Sequence, residues 1–117
     1  MTRITVTVGQ TTLHATLDDT PAGRDFAALL PLELTLSDYH GIEKVADLPR
    51  ALDTTGAPPS YGAKAGDLTL YAPWGNLAIF YKPFRPAAGL VRLGAFDGAF
   101  DALLSQDGKP VTFARAG

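Results

Sequence analysis

The sequence predicts a mainly β protein: a single domain of about eight short strands and two short helices. Three observations lead there. Apolar residues recur at every second position in eight short segments, the period of a half-buried strand. Glycine and proline, 12 and 9 of the 117 residues, punctuate those segments at short intervals. Only two segments change to helical spacing. Turn signals at this density favour a barrel or a sandwich, and in a barrel the helices would plug the open ends.

In "RITVTV", Ile4, Val6 and Val8 alternate with threonines. Gly9 then turns the chain into "TTLHATL", which places Leu13, Ala15 and Leu17 on one face of a hairpin. The first helix follows. Thr20 is a suitable N-cap, Pro21 fits the first helical position, and Phe26, Leu29 and Leu30 face a core. Pro31 ends the helix at about Leu30.

"LELTLSDY" returns to period two with Leu32, Leu34 and Leu36 inward; "HG" turns, and "IEKVADL" pairs back on it. Asp53 to Gly66 is the longest irregular segment, a surface excursion of the kind that often carries function. "DLTLYA" and "NLAIFYK" are strands joined at "PWGN". "PFRPAAG" cannot be a strand interior. "LVRLGAF" is a strand, Asp97 caps a second helix bearing Phe100, Leu103 and Leu104, "SQDGK" turns, and "PVTFARA" is the last strand.

Composition excludes several classes of function. With 46% apolar and 19% charged residues the chain is of ordinary globular type, and its length suits one domain over residues 1–117. There is no cysteine, hence no disulfide, thiolate metal site or cysteine nucleophile. The ten lysines and arginines are scattered singly at a net charge of -2, so no basic stripe for nucleic acid is visible. The first ten residues resemble neither a signal peptide nor a membrane span, which makes the cytoplasm the expected location. No glycine-rich phosphate motif runs from a strand into a helix, and no cofactor is expected.

The order of elements, with "AGDLTLYAPWGNLAIFY" and "LVRLGAFDGAFDALL", resembles the cyclophilins. The small bacterial cyclophilin-like proteins are closer. Their "MLPLTLTMSD", "GNEKY..LP", "GDLMLY" and "LFYKSF" motifs are similar to Leu29–Asp38, Gly41–Pro49, Gly66–Tyr71 and Ile79–Phe84, in order over nearly the whole chain. The resemblance implies a closed barrel and assigns no activity. Some of these relatives are joined to flavodoxin-like or other domains.

Cyclophilins rotate X-Pro bonds, whose barrier is about 18–20 kcal/mol. They use an arginine that hydrogen-bonds the proline nitrogen beside an apolar pocket. Matching the turn glycine to Gly41 puts Ser37 where that arginine would stand, and serine carries no charge. Ile42 and Phe80 match apolar pocket positions. Glu43 falls where an apolar residue is expected, Tyr71 where a small one is, and the ring-capping Trp and His have no counterpart. Arg50 or Arg92 would substitute only if the fold brought one to the cleft.

Independently, "SDYHGIEK" crowds Asp38, His40 and Glu43 together. On a strand Asp38 and His40 share a face while Ser37 points away, so no local triad forms. His40 and Glu43, with Asp38, make an incomplete metal set, and His14 sits on another strand; no metal site is expected. The plain reading is a turn made by Asp38 and Gly41, with His40 solvated and Glu43 paired to Lys44 or a neighbouring strand. Outward Phe80 beside Tyr71 either forms an apolar groove or is covered by the Asp53–Gly66 loop.

The expectation is therefore a non-catalytic module binding a peptide segment or small molecule through Ser37, Tyr39, Ile42, Glu43, Tyr71 and Phe80. A weak prolyl isomerase is one alternative. An oligomer-forming accessory domain for a redox or transport partner, using exposed strand edges, is another.

Overall fold

The computed structural model describes residues 1–105 and 108–116. The Gln106–Asp107 part of the expected "SQDGK" turn lies outside them. Eleven strands and one α-helix follow in chain order: β1 (Thr2–Val8), β2 (Thr11–Leu17), α1 (Pro21–Ala28), β3 (Leu32–Thr35), β4 (Ser37–Tyr39), β5 (Glu43–Asp47), β6 (Ser60–Tyr61), β7 (Asp67–Tyr71), β8 (Asn76–Phe80), β9 (Ala87–Ala88), β10 (Leu90–Phe96) and β11 (Pro110–Arg115). Nine of them form one antiparallel sheet in the order β3-β11-β1-β2-β10-β7-β8-β5-β4, and β6 pairs with β9 in a separate two-residue ribbon.

The strands at the two ends of that sheet are one continuous piece of chain. β3 pairs with β11, β4 pairs with β5, and only Leu36 separates them. The sheet is thus a nearly closed barrel of eight strands when β3 and β4 are counted as the single "LELTLSDY" segment. Leu36 makes the switch with its side chain buried in the core. β3 and β4, at the two ends of the main sheet, each pair on one side only, and β4 is exposed along its length.

Alternation fills the barrel as the sequence predicts. Ile4, Val6, Val8, Leu13, Ala15, Leu17, Leu68, Leu70, Leu77, Ile79, Val111 and Phe113 form one buried cluster, with Leu32 and Leu34 half-buried against it. In β10 the register against β7 slips by one residue at Leu93. The bulge turns Leu93 into the core and lets Gly94 pass so close to β2 that a Cβ there would stand 2.3 Å from the Thr16 carbonyl oxygen.

The first helix forms as its signals require. The Thr20 hydroxyl accepts from the Gly23 amide at 3.1 Å, Pro21 starts the helix, and Phe26 is buried edge-on against Phe113 at 6.0 Å. The second helix is reduced to a single 3-10 turn, Asp101–Leu103. Asp97 does not cap it: its carboxylate accepts the Thr16 hydroxyl of β2 at 2.8 and 3.0 Å. With that cap committed elsewhere, the segment is held by Phe100 stacking on Phe96 and by buried Leu103.

A second, smaller apolar cluster lies on the outside of the barrel. Ala78, Phe80 and Leu90 face outward from β8 and β10, and Ala63, Tyr61, Phe84 and Ala87 close over them. The two irregular segments, residues 53–66 and 81–89, therefore act together as an arm laid along the outer face, tied by the β6–β9 ribbon.

Candidate functional site

The turn in "SDYHGIEK" is a tight one. His40 and Gly41 both have positive φ, 55° and 67°, and the Ile42 amide donates to the Tyr39 carbonyl at 3.2 Å. Asp38 secures it: one carboxylate oxygen accepts the Gly41 amide at 2.9 Å, and the other lies 3.3 Å from the buried Lys44 ammonium and accepts the Tyr81 hydroxyl. Those bonds, the Tyr81 one foremost, hold the Asp38 carboxyl below its ordinary range. Asp38 is thus the organiser of the turn, as the plain reading has it.

His40 is exposed, as that reading has it. The shared strand face of Asp38 and His40 is corrected, because His40 has left the strand in the left-handed conformation; its ring meets Tyr39 edge-on at 4.1 Å. Of the two partners expected for Glu43, Lys44 is not one, since successive residues of β5 point to opposite faces and Lys44 reaches Asp38; the neighbouring strands are, with Glu43 opposite Tyr39 of β4 and Phe80 of β8. Among the described residues no group of three or more His, Cys, Asp or Glu side chains converges on a metal-holding geometry.

The register explains what assembles on the other face. Ser37 stands opposite Val45 and Tyr39 opposite Glu43; Glu43 in turn is opposite Phe80, Val45 opposite Ala78, and Asn76 opposite Tyr71. All of these point away from the barrel core, and the arm brings Phe84, Arg85, Pro86 and Ala87 alongside. Between sheet and arm lies a cleft of about 760 Å³, within the range of small-molecule and peptide sites.

Five of the six expected residues line this cleft: Ser37, Tyr39, Glu43, Tyr71 and Phe80. Ile42 does not; it packs half-buried beside the outer apolar cluster and its carbonyl accepts the Tyr81 amide at 3.0 Å. Phe80 faces outward as expected but is only 2% exposed, stacked against Phe84 at 5.8 Å. Both sequence alternatives for it hold in part: the arm covers Phe80, and a cleft remains beside it.

Sequence reasoning missed Trp74, Asn76 and Arg85. Trp74 is carried on the turn between β7 and β8, is 68% exposed, and meets Tyr71 edge-on at 5.4 Å and Tyr39 at 6.5 Å. A lone tryptophan inside a turn signal was the available clue. Asn76 is buried; its amide nitrogen donates to the Leu77 carbonyl, and its side-chain oxygen has no hydrogen-bond partner among the described residues. Arg85 lies over the Phe84 ring at 5.3 Å. Neither arginine named from sequence reaches the cleft: Arg50 pairs with Asp25 at 2.8 Å, and Arg92 lies 2.9 Å from Asp18 and 3.8 Å from Asp67. Glu43 is half-buried, and loss of solvation raises its carboxyl above the ordinary range despite nearby His40.

A nearly closed eight-stranded barrel with one short helix and an outer-face cleft beside the β4–β5 hairpin defines a cyclophilin-like protein. The chain belongs to the cyclophilin-like family, whose model matches residues 6–114. Among solved structures it is similar to that of a hypothetical protein from Archaeoglobus fulgidus, determined in solution. The TM-score is 0.65, with 20% identity, covering 98% of this chain and 95% of that one, which shows a shared fold. No curated protein matches the chain.

Proposed function

We propose that the protein is a binding module that takes a peptide segment or small molecule in the cleft between the β4–β5–β8–β7 face and the arm. One observation carries the reading. Apart from Met1, the exposed large hydrophobic side chains of the described residues are Tyr39 and Trp74, and these two meet each other at the cleft. Exposed aromatics gathered at a concavity are a common mark of a recognition surface. The barrel interior is filled by its own leucines, valines and phenylalanines, which supports the outer cleft as the place where a ligand is held.

The single tryptophan makes the test direct, because Trp74 emission reports on the cleft alone. Short peptides and a fragment library are titrated while emission and melting temperature are followed. Saturable emission changes that weaken in Tyr71→Ala support the reading; a library that moves neither emission nor melting temperature sinks it.

Weak prolyl isomerisation is a second reading, favoured by Arg85. It supplies in the cleft the cation that Ser37, at the position matching the cyclophilin arginine, lacks. Acceleration in a protease-coupled assay that disappears in Arg85→Ala would establish it, and no acceleration at high protein concentration removes it.

A further inference from the structure

The cleft has a chemical bias beyond its aromatic walls. Tyr39, Tyr71 and Trp74 stand at near right angles to one another across two contacts, 89° for Tyr39–Trp74 and 82° for Tyr71–Trp74. In each contact one ring sets its edge against the other, and all three rings border the cleft, so aromatic surface that can attract a cation gathers at one corner of it. This corner lies above β5, since Tyr39 is opposite Glu43 and Trp74 sits in the turn just before Asn76, which is opposite Asp47.

The charged lining points the same way. Glu43 and Asp47 supply two carboxylates to the cleft and Arg85 one guanidinium, which is placed over the Phe84 ring. The Glu43 side chain borders the cleft half-buried, with His40 nearby. Asn76, 7% exposed, borders the cleft opposite Asp47, its side-chain oxygen buried and without a donor among the described residues.

We infer that the Tyr39–Trp74 corner of the cleft, with Glu43 across the strand pair from Tyr39, receives a protonated primary amine at the end of an alkyl chain. An alkylammonium meets these features: the rings attract its charge, the cleft floor takes its methylenes, and its N–H groups find the Glu43 carboxylate. A lysine side chain in a peptide and a free alkylamine share this chemistry. The inference rests on the proposed binding function and sharpens it to a ligand class.

The test uses matched probes on the full chain, read by Trp74 emission and by calorimetry. n-Pentylamine is compared with 1-pentanol and pentanoate. N-acetyl-lysine methylamide is compared with its norleucine counterpart. The amines are expected to bind about tenfold tighter than the neutral isosteres. Preference for the lysine derivative over pentylamine assigns a peptide source, and the reverse a free amine. Glu43→Gln should bring amine affinity down toward that of the alcohol, and Tyr39→Leu should weaken it about three- to tenfold. Amine binding should fall as pH drops through the raised Glu43 carboxyl. His40, Asp47, Arg85, Tyr39 and Tyr71 are the other titratable or charged groups facing it. Equal binding of amine and alcohol overturns the inference while leaving a binding cleft. Preference for pentanoate overturns it in favour of Arg85. Silence from these probes overturns it as well, and the peptide and fragment screen then decides whether the binding function survives.

Discussion

Gly89 is where the arm, the cleft and the barrel touch. It precedes β10 at φ +80°; its carbonyl accepts the Ala72 amide at 2.9 Å, and its amide donates to the Pro59 carbonyl at 3.3 Å. A Cβ at this position would stand 2.8 Å from Cδ and 2.9 Å from Cγ of Pro73, the residue before Trp74. The pyrrolidine ring is rigid and cannot swing aside. Gly89→Ala therefore combines left-handed strain of about 1–2 kcal/mol with an overpacking term of about 1–3 kcal/mol. Gly75 is the matched control: its φ is +69°, but a Cβ there meets nothing within 4 Å, so Gly75→Ala carries the strain alone. Urea unfolding followed by circular dichroism should show Gly89→Ala less stable than Gly75→Ala by about 1–3 kcal/mol. On the thermal scale that is roughly 3–6 °C per kcal/mol for a chain of this size. Equal loss in the two variants, within about 0.5 kcal/mol, would refute the reasoning, because the Pro73 contact would then contribute nothing.

Phe80→Ala should destabilise by about 3–5 kcal/mol, since the ring is almost fully covered and stacked on Phe84. A chemical-denaturation curve checks this, and a loss under about 1 kcal/mol would mean that the arm does not pack on it. Asp25 holds the start of the arm to α1, taking both nitrogens of the Arg50 fork at 2.8 and 2.9 Å and the Asp53 amide at 2.7 Å. The Arg50 hydrogen bonds, then the Asp53 amide, lower its carboxyl to about 2. Its contribution is present in full above the unfolded value of roughly 3.9 and is lost as pH falls toward the folded one. Melting temperature measured from pH 5 to pH 2 should therefore fall less steeply in Asp25→Asn than in the parent; identical slopes would remove Asp25 from the acid response.

The barrel was legible because each strand alternates and each alternation has one outcome. Ile4, Val6 and Val8 could face only a core, and the same holds for Leu77 and Ile79. The helix was legible from two local signals, Thr20 and Pro21, that act without tertiary help. The second helix was misread because Asp97 has two possible uses, and the strand that claims it, β2, lies far away in sequence. The cleft was legible only in part for the same reason. Ser37, Tyr39 and Glu43 follow from one hairpin's register, whereas Trp74 and Arg85 join them through a turn and an arm whose placement depends on nonlocal packing. Ile42 was misplaced because the left-handed pair His40–Gly41 rotates the chain before β5 begins.

What fixes the arm bears on how the cleft can bind. Asp67, buried at the start of β7, accepts the Tyr61 hydroxyl at 2.5 Å and the Lys64 amide at 2.9 Å, and Arg92 of β10 lies 3.8 Å from it. Burial first, then the bond to Asp67, raises the Tyr61 phenol, so it stays a neutral donor. A carboxylate left buried without these partners is costly, so the Tyr61 and Lys64 bonds to Asp67 tie the arm to β7. The outer apolar cluster adds the Phe80–Phe84 stack to the same hold. The arm wall of the cleft is thus a fixed part of the barrel's surface. Its sheet wall is anchored by Asp38 through Gly41, Lys44 and Tyr81 on the opposite face of the strands. A site held from both sides loses little conformational freedom when a ligand enters. The polar residues of "SDYHGIEK" therefore divide by face: Asp38 and Lys44 set the geometry from beneath, and Ser37, Tyr39 and Glu43 are presented by it.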